Sequence, residues 1–130
     1  MNVKATIEKC AHDSYAGLMT FPEVIGTLVE VGVESYFADY RDQSTTYYLS
    51  DNKAVRVPME MPAIDVPNVF NKDDVVLAIR AAQSDQVRYP EFLKLTMSAG
   101  CIGYMVWITG RHVSYFGRQG EVHIEHFPQQ

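Results

Sequence analysis

The chain says nearly the same thing twice. Residues Phe21–Tyr36, "FPEVIGTLVEVGVESY", are echoed 68 positions later by Tyr89–Tyr104, "YPEFLKLTMSAGCIGY". Carried on without a gap, the same offset lays Pro22-Glu23 over Pro90-Glu91, Gly32 over Gly100, Tyr36 over Tyr104 and Tyr47 over Tyr115. Only five of the 37 positions from 21 to 57 are identical, but Val24/Phe92, Ile25/Leu93, Thr46/Ser114 and Tyr48/Phe116 keep their character. A pattern of this length predicts a unit used twice, approximately 3–57 and 71–125. Neither copy is large enough to bury a core alone, so both belong to one domain spanning 1–130.

Each unit reads as two helices followed by three strands. Val3, Ile7, Cys10 and Ala11 recur at helical spacing. Thr20 and Glu23 have the spacing of a capping box, with Pro22 in the first turn. Val24, Ile25, Leu28 and Val29 then form one apolar face, and Gly32 stands where a left-handed residue ends a helix. "ESYFADY", "TTYYLS" and "AVRVP" are strand-like and are separated by turn residues. In the second unit Asn71 can cap a helix with Val75, Ile79 and Ala82 on its face. A further helix opens at Pro90, runs through Phe92, Leu95, Thr96 and Ala99, and stops at Gly100. "CIGYMVWI", "HVSYFG" and "EVHIEHF" read as a meander. The crossover 58–70 holds Pro58, Pro62 and Pro67, which deny it helix and central strand. The expected fold class is α+β: a duplicated helix-helix-three-strand unit forming one compact domain, with antiparallel sheet backed by helices.

Charge narrows the function. Sixteen acidic residues against eleven basic ones give a net charge of −5, and no run of Lys or Arg exists. Binding to nucleic acid needs clustered cations, so no nucleic-acid partner is expected. The N-terminal stretch lacks the apolar core of a signal peptide, and the longest uncharged run, Leu95–Gly110, is short for a span and contains three glycines. A cytoplasmic location without a membrane partner is the expectation. Cys10 and Cys101 fit no zinc or redox spacing and read as buried thiols in a reducing compartment.

The stretch "YPEFLKL" and the C-terminal "AGCIGYMVWITGRHVSYFGRQGEVHIEHFP" resemble the YdfO-like family of small enterobacterial and prophage-borne proteins, some of them labelled phage envelope proteins. That family consists of chains of about this length. The resemblance implies a compact α+β domain and a mobile-element origin. It implies no activity, cofactor or catalytic residue, and nothing in the residues supports the word "envelope".

The last meander permits a register argument. Two-residue loops at Thr109-Gly110 and Gln119-Gly120 would set Trp107 opposite His112 and Phe116 opposite His123. Tyr104, Val106, Val113, Tyr115, Val122 and Ile124 would then face the core. Met105, Trp107, His112, Ser114, Phe116, His123 and Glu125 would share the other face. Three readings of that second face compete. Met105, Trp107, His112, Phe116 and His123 have the composition of an interface centre, with Trp107 as anchor, which points to a protein partner or a homodimer. His112, His123 and Glu125 are metal-ligand types, though in no known ligand spacing. His123 with Glu125 could form an acid–base pair, with Ser114 the only nucleophile nearby. A thiol nucleophile at Cys101 is disfavoured by its small apolar flanks. Glu23 and Glu91 each follow a proline at a helix start, where the helix dipole explains a carboxylate. No phosphate loop, dinucleotide fingerprint or metalloprotease motif is present.

The leading expectation is a non-enzymatic protein acting by protein–protein interaction or self-association, with no catalytic residue, cofactor or metal. The alternative is a small-molecule or metal-binding module with its ligand between the two units. There the hydroxyls of Tyr36, Tyr40, Tyr47 or Tyr48 would orient the ligand.

Overall fold

A computed structural model describes residues 2–128. The element order is α1 (Val3–Tyr15), α2 (Phe21–Glu30), β1 (Val33–Asp39), β2 (Ser44–Leu49), β3 (Ala54–Pro58), then α3 (Lys72–Gln83), α4 (Tyr89–Ser98), β4 (Cys101–Trp107), β5 (His112–Gly117) and β6 (Val122–His126). Two helices and three strands thus occur twice. Apart from the start of α3, every boundary in the second half lies 68 residues after its counterpart.

The local signals act as their chemistry requires. Thr20 and Glu23 form the capping box, the Thr20 hydroxyl accepting from the Glu23 N–H while Glu23 accepts from the Thr20 N–H. Those hydrogen bonds hold the Glu23 carboxyl below its ordinary value, a structural use of the charge. Asn71 caps α3 by accepting from the Asp74 N–H. Gly32 and Gly100 follow α2 and α4 with φ of +88° and +96°. At Gly100 a side chain would also strike the Val69 carbonyl, so only glycine fits.

All six strands form one antiparallel sheet in the order β3-β2-β1-β4-β5-β6. β1 and β4 join the halves, and Phe37 lies opposite Met105, the residue 68 positions on. A twofold axis through the sheet centre at that point produces such a pairing. Both β1/β2 and β4/β5 carry an irregularity at matching places, Val33/Ser35 and Cys101/Gly103.

The helices cover one face of the sheet. Tyr36, Ala38, Tyr47, Tyr104, Val106, Val113 and Tyr115 point into the core beneath them, with Ile7, Leu28, Val75 and Phe92 above. The other face is open, and Tyr48, Trp107, Val122 and Ile124 are exposed on it. The crossover runs past the strand ends from β3 to β5, where the Arg118 side chain donates to the Val66 carbonyl. No helix among the described residues is long and apolar enough to cross a membrane.

One sequence expectation fails here. The β4–β5 loop keeps the expected register, with Trp107 opposite His112. The β5–β6 loop does not. It has three residues, Arg118–Gly120, closed by the Gly117 N–H donating to the Glu121 carbonyl at 2.9 Å. Phe116 therefore faces Val122, and His123 faces Tyr115. A slip of one residue turns a whole strand over. Val122 and Ile124 go to the open face, while His123 and Glu125 go beneath the helices. Gly120 takes the third loop position with φ +85°, as Asn52 does at +72° in the β2–β3 loop, and a left-handed third residue marks three-residue hairpins.

Candidate functional site

The overturned strand dissolves two of the three readings of the meander face. Met105, Trp107, His112 and Phe116 do share the open face, and the Trp107 indole donates to the Ser114 hydroxyl at 3.3 Å. His123 is on the opposite side and leaves that patch. Ser114 is likewise separated by the sheet from His123 and Glu125, so no acid–base–nucleophile set assembles. His112, His123 and Glu125 do not converge as ligands, and no group of three or more metal-binding side chains exists among the described residues.

What the structure builds instead is a partly enclosed cavity of about 410 Å³ between the four helices and the covered face of the sheet. That volume falls within the range of small-molecule sites, roughly 300–1,000 Å³. Its floor is a quartet of tyrosines from four strands: Tyr36 and Tyr47 from the first half, Tyr104 and Tyr115 from the second. The ring centroids of Tyr36 and Tyr47 are 5.2 Å apart, and those of Tyr104 and Tyr115 are 5.6 Å apart. At the offset of 68 residues the first of these pairs falls on the second, Tyr36 on Tyr104 and Tyr47 on Tyr115. Phe92 packs edge-on against both Tyr104 and Tyr115 from above.

The floor is even, but the walls are not. On one side Tyr15 stacks on Tyr89, centroids 5.7 Å apart, and closes the space between α1 and α4. The counterparts of those two residues are Gln83 and Phe21. Gln83 accepts from the Arg80 guanidinium at 3.0 Å, and Phe21 packs edge-on against Phe127 at 5.5 Å. With no stack there, the space stays open. The lining accordingly includes Glu125, His126, Phe127 and Pro128 after the turn into β6, and no residue of β3.

Hydrogen bonding is equally uneven. The Tyr104 and Tyr89 hydroxyls pair at 2.7 Å, and the Tyr15 hydroxyl pairs with that of Thr45 at 2.9 Å. The counterpart of Tyr89 is Phe21, which has no hydroxyl to offer Tyr36. The counterpart of Thr45 is Val113, which has none either. Tyr40 is spoken for by Thr96 at 2.9 Å, and Tyr48 is on the open face. Burial pushes the phenols of Tyr36, Tyr47, Tyr104 and Tyr115 above their ordinary value, so they remain protonated donors.

Two carboxylates reach the cavity wall, Asp85 and Glu125. Burial raises the Glu125 carboxyl, but hydrogen bonds and charge from Arg80 and His123 outweigh it and hold the group below its ordinary value. Arg80 donates to both Glu125 oxygens, at 2.7 and 3.4 Å, and the His123 ring lies 3.3 Å from one of them. Arg88 lines the cavity wall and is paired with Asp85 at 2.8 Å. Cys10 also lines the wall. Burial pushes its thiol up to about 11 and that of Cys101 up to about 12, leaving both protonated and unreactive.

Sequence reasoning named Tyr36 and Tyr47 as possible ligand contacts and assigned Tyr104 and Tyr115 to the core. It missed Tyr15, Tyr89 and Phe21 at the wall. The available signal was chemical: a core face that spends four inward positions on phenols, in matched pairs, carries more polar atoms than packing needs.

An uncharacterized protein of Mycobacterium bovis is 32% identical over 71 residues, which is 55% of this chain and 43% of that protein. Uncharacterized proteins from two strains of Mycobacterium tuberculosis match with the same figures. The matched part of the chain therefore corresponds to under half the length of these curated relatives. With its match covering residues 9–126, the chain belongs to the family described as "Protein of unknown function (DUF1398)".

Proposed function

We propose that the protein binds a small, largely apolar molecule in the cavity between its two halves. The carrying observation is the cavity itself. It is concave, walled by four helices and lined mostly by apolar and aromatic side chains, at about 410 Å³, as small-molecule sites are. Here the void is floored by the best-matched residues of the two halves. The test is titration with a neutral environment-sensitive dye, N-phenyl-1-naphthylamine. Saturable binding at one dye per chain is expected, and a ligand at a hundredfold its dissociation constant should add about 2.7 kcal/mol to stability. Absence of saturable binding by a folded protein would remove this reading.

A second reading is association through the open sheet face. The exposure of Tyr48, Trp107, Val122 and Ile124 on one side of one sheet supports it. The patch now comprises Met105, Trp107, His112 and Phe116 without His123. Light scattering across a concentration series measures it, and Trp107→Ala should weaken any association by about 2 kcal/mol. Equal masses for the wild type and the variant at every concentration would count against it. The YdfO-like kinship, and with it a prophage origin and a cytoplasmic working place, belongs to the same proposal and rests on the C-terminal motif.

A further inference from the structure

The cavity does more than admit apolar matter; its unpaired groups describe what should fill it. Tyr36, Tyr47 and Tyr115 are 5%, 4% and 6% exposed, and all three line the cavity. The Tyr47 hydroxyl meets that of Tyr15, but the hydroxyls of Tyr36 and Tyr115 make no hydrogen bond within the described residues. Yet no fully occluded side-chain oxygen or nitrogen there lacks a partner, so the Tyr36 and Tyr115 hydroxyls open onto the cavity. A buried phenol left without a partner is costly, and the neighbouring tyrosines show that this fold can satisfy one where it has no other use for it. Tyr104, Tyr40 and Tyr15 are all paired inside the protein. Tyr36 lost its chance at Phe21, where the other half has Tyr89.

Charge is the second constraint. An anion in the cavity would meet the Glu125 carboxylate. A cation would find that carboxylate already engaged on both oxygens by Arg80. Arg88 is spent on Asp85. Among the carboxylates and guanidinium of the lining, neither sign of charge finds an unspent partner. Shape is the third. The lining offers ring faces and edges from Tyr36, Tyr104, Tyr115 and Phe92, which favour a flat aromatic guest.

We propose that the ligand is a neutral, flat aromatic molecule carrying a hydrogen-bond acceptor, with the hydroxyls of Tyr36 and Tyr115 donating to it. This rests on the small-molecule reading above. The test uses four naphthalenes of similar size: 2-acetylnaphthalene, 2-ethylnaphthalene, 2-naphthoate and 2-naphthyltrimethylammonium. Each is titrated by calorimetry against the wild type and against a Tyr36→Phe/Tyr115→Phe double variant. The ketone should bind the wild type about tenfold more tightly than the ethyl analogue, the discrimination that one or two hydrogen bonds provide. The double variant should bring that ratio close to one while leaving the affinity for the ethyl compound unchanged. Its thermal midpoint should not fall, since only unpaired hydroxyls are removed. Binding of both neutral compounds without preference for the ketone, or tighter binding of either ion, overturns the proposed ligand class and leaves the cavity reading standing. Failure of all four to bind a folded wild-type protein overturns both. A ketone preference that survives in the double variant overturns the assignment to these two tyrosines.

Discussion

The two ends of the covered sheet face are built from matching positions and do opposite things. At the end near α1 and α4, Tyr15 and Tyr89 stack and pair their hydroxyls with Thr45 and Tyr104. At the end near α2 and α3, the same two positions hold Gln83 and Phe21, and a cavity opens beside β6. One end uses aromatic polar residues to consolidate the fold. The other leaves the phenols of the sheet exposed to a void. The proposed binding site therefore sits where the two halves differ, although the matched floor residues make it possible.

The comparison can be broken most strongly at Tyr89 and Phe21. Removing Tyr89 takes away a stack, a contact with Phe92 and the partner of the Tyr104 hydroxyl. Tyr89→Ala should cost about 3 kcal/mol in denaturant unfolding. Phe21 is 41% exposed and, among the described residues, holds one aromatic edge contact, so Phe21→Ala should cost about 1 kcal/mol. Equal losses would mean that the two ends are energetically alike.

Filling the open end sharpens the contrast. Gln83→Tyr places there the residue type that Tyr15 supplies at the closed end. Stability should rise by on the order of 1 kcal/mol, the usual gain from filling a cavity. Binding of N-phenyl-1-naphthylamine should fall in the same variant. A gain in stability with full dye binding would place the dye elsewhere.

The smallest effect concerns pH. Glu125 has a folded-state value below its ordinary one, so its contribution is present above about pH 4.3, the unfolded value, and is lost as pH falls through the folded value. The stability difference between the wild type and Glu125→Gln should therefore shrink as pH drops through that acid window. The change will be modest because solvent screens the exposed Arg80 guanidinium. An unfolding series from pH 6 to pH 3 measures it, and a constant difference would show that the pair does not couple to stability. Val57, the counterpart of Glu125 on β3, gives the closed end no such dependence.

Much of this was written locally. The capping box at Thr20 and Glu23, the Asn71 cap and the glycines after α2 and α4 follow from the chemistry of single turns, and each stands where the sequence puts it. The element order was legible because helical and strand periodicities differ and the pattern appears twice. The face of β6 was not. Two and three loop residues fit "GRQGE" equally well on composition, and the choice flips His123 and Glu125 from open face to covered face. The aligned Asn52 and Gly120 were the overlooked clue, both placed to adopt positive φ.

Sequence alone determined which segments are helix and strand, where they stop, and that tyrosines pair at the repeat offset. Those features depend on contacts a few residues apart. Only the tertiary structure decided that Tyr36, Tyr47, Tyr104 and Tyr115 meet on one floor, that Gln83 turns to Arg80 and Phe21 to Phe127, and that a void remains between them. A cavity belongs to no residue. It is the space left when four helices settle on a sheet, and its size depends on packing between segments far apart in the chain.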